Sequence, residues 1–229
     1  MSEHPAHEPE SQSEQRGLRR GAVLMPKGRL EAFSDGVLAI VITIIVLELE
    51  VPERTEGDDL LLALAHEWRS FAAYLISFVF VGGVWIAHAN ATRLISRADP
   101  ILLRLNLVVL FTVSFLPFTT SVMATHVDGD GENVAVALYG VNLLIASLVL
   151  NAFIYYAARH AHVVSDEVAD EELRAVEKQR RLLVVVQAIA TGIAIVLPGL
   201  AIGAYLVISV GFIFAPLVQA RLSRRSPAA

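Results

Sequence analysis

Six long apolar runs, each bounded by charged residues, dominate the pattern of the chain. A helix of roughly 20 residues covers about 30 Å of hydrocarbon, so each run predicts a helix that crosses a membrane. The sequence therefore predicts an all-α membrane protein with six transmembrane helices per subunit. The predicted spans are Ala32–Leu49, Phe71–Ala91, Ile101–Met123, Val134–Ala158, Leu182–Leu197 and Leu200–Ala220.

Proline residues refine the predicted ends of these helices. Pro198 and Gly199 interrupt the last apolar stretch, which at about 38 residues is too long for one crossing. We therefore expect a tight turn at this dipeptide, with one helix on either side. Pro117 lies inside the third span and is expected to kink or end that helix.

The distribution of basic residues predicts the orientation of the spans. Of the 18 Lys and Arg residues, only Arg54 and Arg69 fall in segments that would lie outside the cell. Short cytoplasmic segments retain Lys and Arg, so both termini are expected on the cytoplasmic side of the cell membrane. Acidic residues cluster on the opposite side, after the first and third spans.

The polar segments divide the chain into a membrane domain, two tails and a linker. Residues 1–28 are polar and are predicted to form a disordered tail, whereas residues 221–229 form a basic one. Residues 29–220 form the membrane domain. Within it, residues 160–181 carry mixed charges and are expected to form a cytoplasmic helical linker between spans four and five.

Composition narrows the classes of function. The chain is 55% hydrophobic and 18% charged, with a mean hydropathy of +0.59, which excludes an ordinary soluble domain. It has no cysteine, so disulfides, thiolate metal sites and thiol nucleophiles are excluded. A net charge of -5 disfavours nucleic acid as a partner. The histidines form no metal-binding pattern and no nucleophile or cofactor motif occurs, so the sequence predicts neither an enzyme nor a bound cofactor.

The first span contains an acidic residue. Asp35, preceded by Ser34, lies in the cytoplasmic third of the predicted helix. An ionisable residue costs about 2.5–3.5 kcal/mol at the bilayer centre and somewhat less near the interface, so Asp35 is expected to have a polar partner. On a helical wheel, Asp35 falls almost opposite the face that carries Ile40, Thr43 and Leu47. One face is thus apolar apart from Thr43, and another carries the acid.

Polar residues at the same depth supply partners for this acid. Span two ends there with Trp85 and His88, and span three begins there. We expect a buried polar cluster that ties the first three helices together, with Arg29 nearby at the interface. Three roles are open for it, namely packing without chemistry, a proton relay through Asp35 and His88, or gating by movement of the first span. Its predicted members are Ser34, Asp35, His88, Arg104 and Asn106.

Several of these residues form a recognisable motif. The first span opens with Arg-x-x-x-Phe-Ser-Asp, the second ends with Trp-x-x-His, and the third begins with Leu-Asn. In these features the chain resembles the transmembrane protein 175 family, the endolysosomal potassium channels and their bacterial relatives. The resemblance covers residues 29–220 and is strongest over 29–121. Ala89 stands where members commonly have a second histidine, which argues against any role that needs a histidine pair. The motif residues are Arg29, Phe33, Ser34, Asp35, Trp85, His88, Leu105, Asn106 and the later Pro117.

The resemblance implies an architecture and a set of partners. It implies a homotetramer of six-helix subunits in a lipid bilayer, in which the first helix of each subunit lines a central pore for potassium ions. It implies no cofactor beyond the permeant ion. The sequence agrees on one point, because it has no Thr-Val-Gly-Tyr-Gly filter between spans five and six.

The pore face of the first helix follows from the same resemblance. Ile40 occupies the position of a bulky aliphatic constriction, and Leu47 lies two turns further out, so rings of these side chains would stop ions by dewetting. Thr43 would offer hydroxyl oxygens to a partly dehydrated cation, which implies modest preference for potassium over sodium. Alternatively, its hydroxyl bonds back to the carbonyl at i−4. Glu48 would attract cations to an outer vestibule, or serve as a solvated helix end.

Two other functions remain open. A proton-coupled cation exchanger would use Asp35 and His88 and would give electrically silent or pH-driven flux. Such transporters usually contain internal repeats, and none is recognisable between residues 30–121 and 134–220. A non-conducting membrane scaffold would use Asp35 only for packing. The missing repeat favours the channel over the exchanger.

Overall fold

The computed structural model of the chain describes residues 24–49, 59–93, 95–126, 129–159 and 170–223. These residues form helices and one short antiparallel ladder. Most of the predicted N-terminal tail, the first part of the predicted linker and the end of the C-terminal tail lie outside the described residues. The elements are β1 (Met25–Pro26), α1 (Lys27–Ile44), a 3₁₀ turn (Ile45–Glu48), α2 (Leu60–His66), α3 (Trp68–Arg93), β2 (Arg97–Ala98), α4 (Pro100–Ser114), α5 (Leu116–His126), α6 (Glu132–Arg159), α7 (Asp170–Ile193) and α8 (Pro198–Ser223).

Four helical segments are long and apolar enough to cross a membrane. They are Lys27–Glu48, Trp68–Arg93, Pro100–His126 and Glu132–Arg159. The chain is therefore an all-α membrane protein, as the apolar runs predict. The apolar parts of α7 and α8, Arg181–Ile193 and Pro198–Gly211, are shorter. The fifth and sixth crossings thus stay predictions.

The third span is broken into two helices near its middle. α4 ends at Ser114 and α5 begins at Leu116, with Phe115 between them. Pro117, one residue into α5, has no N–H to donate to the carbonyl four residues earlier, and its ring crowds that carbonyl. This agrees with the expected kink or end of the helix at Pro117.

The turn between α7 and α8 lies earlier than the sequence predicts. The chain turns at residues 194–197, where the N–H of Leu197 donates to the carbonyl of Ile193 at 2.8 Å. Pro198 is instead the first residue of α8. The prediction of a turn at Pro198 and Gly199 is wrong because proline suits the first helical position, where its fixed φ is favourable and its missing N–H has no intrahelical partner to lose.

A series of contacts links the start of α1 to neighbouring parts of the bundle. Met25 pairs with Ala98 in the β1–β2 ladder, next to the residue that begins the cap of α4. That residue, Asp99, accepts a hydrogen bond from the N–H of Leu102 at 2.8 Å and a second from the hydroxyl of Tyr156 on α6 at 2.6 Å. An aspartate at the N-cap of a helix accepts a hydrogen bond from a helix N–H that would otherwise be unpaired. The start of α1 is thereby linked to α4 and α6.

α1 lies at the edge of the helical bundle. Its buried residues form one stripe at helical spacing, and the rest of its surface is largely uncovered. Only 28% of the most apolar window of this span is buried, against 50% for the α6 span, which packs among α4, α5 and α7. The buried stripe consists of Leu30, Ser34, Leu38, Val41 and Ile45.

Candidate ion path and polar network

A buried hydrogen-bonded triad joins α1, α3 and α4. Ser34, His88 and Asn106 are at most 3% exposed. The amide nitrogen of Asn106 donates to Oγ of Ser34 at 2.9 Å, and its amide oxygen lies 2.8 Å from Nε2 of His88. Each side chain comes from a different helix, so the triad fixes how α1 sits against the other two.

One proton arrangement is consistent with all the contacts of this triad. Ser34 donates its hydroxyl proton to the carbonyl of Leu30 at 2.8 Å, which leaves its oxygen free to accept from Asn106. The amide oxygen of Asn106 then accepts from a protonated Nε2 of His88. The imidazole ring also stacks on Phe153 of α6, with 5.0 Å between ring centroids. Hydrogen bonding and packing hold the triad without any transfer of a proton.

Asp35 does not belong to the triad, in contrast to the expected single cluster. Its carboxylate is exposed and accepts a hydrogen bond from Nε1 of Trp85 at 2.9 Å. Adjacent helical residues point about 100° apart, so Ser34 and Asp35 cannot both face the core. The polar residues of the first three helices therefore form two groups, one buried and one at the surface.

The two arginines expected near Asp35 are also placed at the surface. Arg29 and Arg104 are exposed, and within the described ranges no hydrogen bond or ion pair joins either of them to Asp35 or His88. Phe33, the aromatic residue of the motif, is 54% exposed. Both arginines lie within about a turn of a helix end, where long basic side chains reach the lipid headgroups.

The uncovered face of α1, taken together with the 3₁₀ turn that continues it, carries the three residues predicted to line an ion path. Ile40 is 58% exposed and Leu47 is 76% exposed, and Thr43 between them is also exposed. All three project away from the stripe that packs into the bundle. A large apolar surface of this kind is covered in the membrane by lipid or by another helix.

The hydroxyl of Thr43 bonds to its own helix. Its Oγ1 donates to the carbonyl of Ile40 at 2.8 Å and lies 3.0 Å from the carbonyl of Ala39. This is the local bonding that threonine commonly makes in a helix, and it uses the hydroxyl proton while the oxygen can still act as an acceptor. Back-bonding and coordination of a cation are therefore compatible, since they use different parts of the same hydroxyl.

A groove of about 560 Å³ lies between α1 and the break in the third span, and Ile40 is the one residue of these three that lines it. Ile40 and Glu48 line it on one side, and Pro117 and Phe118 line it on the other. Glu48 is partly buried at the outer end, so its carboxylate lies next to the same uncovered surface as Ile40.

Some contacts of this region leave little trace in the sequence. The stacking of Phe153 on His88 and the bond from Tyr156 to Asp99 join residues far apart in the chain, and no periodic pattern marks them. Asp99 followed by Pro100 is a helix-start signal that identifies the cap but not its second partner. In the part of the chain that the structure describes, no group of three His, Asp or Glu side chains is placed to hold a metal ion.

Comparison with known proteins places these features in a family. The sequence pattern of the family described as "Endosomal/lysosomal potassium channel TMEM175" matches residues 29–117. A potassium channel of Chamaesiphon minutus is 31% identical over 187 residues, which are 81% of this chain and 92% of that protein. A potassium channel of Streptomyces collinus is 36% identical over 149 residues, 65% of this chain and 72% of that protein.

A solved structure gives the same result for the fold. The crystal structure of a lysosomal potassium-selective channel TMEM175 homolog from Chamaesiphon minutus superposes with a TM-score of 0.74. The match has 30% sequence identity and covers 82% of this chain and 97% of the other. The motif residues at the start of α1 and at the end of α3 lie within the residues that the family pattern matches.

Proposed function

The chain belongs to the family of the endosomal/lysosomal potassium channel TMEM175, and from this membership we propose that it is a passive potassium channel of the cell membrane. In this proposal four copies surround a central pore and the α1 helix of each copy lines it. The family is one of channels, so no catalysis is invoked. The relatives named above as potassium channels support the choice of permeant ion.

The observation that carries the proposal is the low burial of the first span. α1 is the least buried of the four membrane-spanning segments, although it bears the motif by which the family is recognised. Its uncovered face holds Ile40, Thr43 and Leu47. A helix that lines a pore between subunits must leave such a face uncovered in the single subunit.

The side chains on this face suit a hydrophobic gate. Four copies of Ile40 and four of Leu47 would form two apolar rings that hold back water and ions until small rotations widen them. Between the rings, each Thr43 would present one hydroxyl oxygen to a partly dehydrated cation. Single hydroxyls coordinate a cation less completely than stacked carbonyls, so the proposal includes only modest preference for potassium over sodium.

Each subunit of the proposed channel crosses the membrane six times. α7 and α8 cross the membrane as a hairpin, which gives six crossings and places both termini in the cytoplasm, in line with the basic residues of the tails and inner loops. The Glu48 carboxylates would then face the outer vestibule and raise the local cation concentration. The buried triad of Ser34, His88 and Asn106 would hold α1 in position against the rest of its subunit.

The contacts of Asp35 and His88 argue against the exchanger. Asp35 bonds to Trp85 at the surface and His88 bonds to Asn106 in the core, so no hydrogen bond joins the two within the described residues. A relay between them would need a rearrangement of α1 or α3. The channel needs only the small rotations that widen its apolar rings, and no new contact between Asp35 and His88.

The proposal is tested by electrical recording of cation flux in proteoliposomes under a potassium gradient. The wild type is expected to give a current that reverses near the potassium potential, and Ile40→Asn to increase or alter that current because it wets the narrowest ring. Ile145→Asn is the matched control, since Ile145 is an exposed isoleucine on α6, away from α1. Silent flux, or no flux from a folded protein, would overturn the channel.

A further inference from the structure

Within the described parts of α6, α7 and α8, three buried polar side chains have no hydrogen-bond partner. They are Ser147, Gln187 and Ser209, and each is 0% exposed. Both hydroxyl oxygens and both amide atoms of Gln187 are unpaired among the residues that the structure describes. Buried polar groups in native proteins are nearly always hydrogen-bonded, so four unpaired atoms in one half of a subunit point to a missing partner.

The packing of the three helices places these side chains on the same side of one shared level of the bundle. Asn133 near the start of α6 donates to the carbonyl of Ile195 in the turn just after α7, so the two helices run antiparallel. Further along, Gly140 of α6 lies so close to α8 that an added Cβ would collide with the hydroxyl of Tyr205, and it would lie 2.8 Å from Oγ1 of Thr191 on α7. Gly140, Thr191 and Tyr205 thus mark one level.

From that level the unpaired residues all lie in the same direction. Gln187 is one turn before Thr191 on α7, and Ser209 is one turn after Tyr205 on α8, each about 6 Å away along its helix. Ser147 lies two turns after Gly140 on the same face of α6. Because α6 and α8 both run opposite to α7, these steps lead to the same region of the interior.

The chemistry of the group identifies its ligand. Gln187 offers two N–H donors and one carbonyl acceptor, and each serine can donate and accept. A metal cation would satisfy the oxygens but not the N–H groups. Segments 133–159 and 181–211 contain no Asp or Glu to balance its charge. Water both donates and accepts, and it is the usual partner of buried groups that no protein atom can reach.

We propose that Ser147, Gln187 and Ser209 enclose a binding site for internal water within each subunit. The site is separate from the ion path, because the residues of α1 face α3, α4 and α5 instead. It lies between α6 and the apolar parts of α7 and α8, where the water hydrates the α7–α8 hairpin. The inference does not depend on the proposed pore.

Replacement of the Gln187 amide tests the proposal, because bound water and an unpaired amide predict opposite changes in the thermal midpoint. In Gln187→Leu, bound water would lose a partner and leave both serines unsatisfied, so the thermal midpoint of the purified full chain is expected to fall by roughly 2–8 °C. If the amide were truly unpaired, the same change would remove a buried polar group and raise the midpoint. A raised or unchanged midpoint would overturn the proposal.

A second amide calibrates this measurement. Asn142 is 7% exposed and donates to Oγ1 of Thr119 at 3.0 Å, so Asn142→Leu breaks a bond that the structure contains. The thermal midpoint of Asn142→Leu must therefore fall whether or not water is bound at Gln187. Exchange of potassium for sodium at constant ionic strength is expected to shift wild type and Gln187→Leu equally. A potassium-dependent stabilisation that Gln187→Leu abolishes would assign the site to a cation instead.

Radiolytic labelling of the wild type gives a readout that needs no variant. Hydroxyl radicals made from bound water modify the side chains beside it even in a protein interior. Brief irradiation in heavy-oxygen water is expected to place label in the peptides that carry Gln187 and Ser209. Absence of label there, with normal labelling of the exposed end of α6, would show that the interior is dry and would overturn the proposal.

Discussion

The indole N–H of Trp85 on α3 donates a 2.9 Å hydrogen bond to the carboxylate of Asp35 on α1, at the surface of the subunit and not in its core. The neighbouring Ser34 faces the other way and bonds to buried Asn106. Two adjacent residues therefore tie the same helix to two different helices. This double attachment lets α1 be held firmly while most of its surface stays uncovered.

Removal of the indole donor tests the surface attachment. Trp85→Phe keeps an aromatic ring but leaves Asp35 without its partner, and we expect a loss of about 0.5–1.5 kcal/mol in the free energy of unfolding. Asp35→Asn keeps a side-chain oxygen that can accept the same bond, so it is expected to cost less than Asp35→Leu. Thermal unfolding in detergent measures all three. Equal losses for Asn and Leu at position 35 would contradict the hydrogen bond.

The buried triad predicts a larger effect. Asn106→Leu leaves Ser34 and His88 unpaired in the interior, and we expect it to cost about 2–4 kcal/mol. The double variant with Ser34→Ala is expected to cost less than the sum of the single variants, because the second change removes one of the unpaired groups. Asn90→Leu, at an exposed position on α3, serves as the control. Strict additivity would argue against the triad.

Close packing between α6 and α8 makes Gly140 sensitive. An alanine Cβ there would collide with the hydroxyl of Tyr205, so Gly140→Ala is expected to cost about 1–3 kcal/mol through overpacking. Tyr205→Phe removes the atom that would be hit first, so the double variant is expected to recover part of the loss. The measurement is again thermal unfolding, and no loss in Gly140→Ala would show that the helices can separate freely.

Two substitutions distinguish the effect of the Thr43 hydroxyl from the effect of the size of its side chain. Thr43→Val is nearly isosteric and removes the hydroxyl, whereas Thr43→Ser keeps the hydroxyl and removes a methyl group. If the oxygen contacts the permeating ion, valine lowers both conductance and the preference for potassium over sodium, and serine largely retains them. Reversal potentials under mixed potassium and sodium gradients measure this. Unchanged selectivity in Thr43→Val would place the oxygen outside the ion path.

The fold was predictable where it depends on length and hydropathy. The four long spans follow from runs of apolar residues, and the family resemblance carried by the motif around Asp35 is confirmed by the match over residues 29–117 and by the Chamaesiphon relative. The turn before α8 was misplaced because Pro198 suits a helix start as well as a turn. Local sequence does not distinguish the two.

The site was predictable only in part, because Asp35 and Arg104, two of the five expected members of the buried cluster, lie at the surface. Depth along the spans brought Ser34, His88 and Asn106 together correctly, since residues at one depth on neighbouring helices can meet. The direction of each side chain decides which of them do meet, and this separates Asp35 from the triad. That direction depends on which stripe of α1 is buried, and this is set by the packing of several helices at once.

The central claim is that the uncovered face of α1 lines the ion path, and cysteine accessibility tests it most directly. The chain has no cysteine, so single substitutions can be made without a background. Potassium currents of Ile40→Cys, Thr43→Cys and Leu47→Cys should be blocked by a small cationic thiol reagent, and those of the buried positions Leu38→Cys and Val41→Cys should not. Current that persists at all three exposed positions, or block that follows the buried ones, would contradict the account.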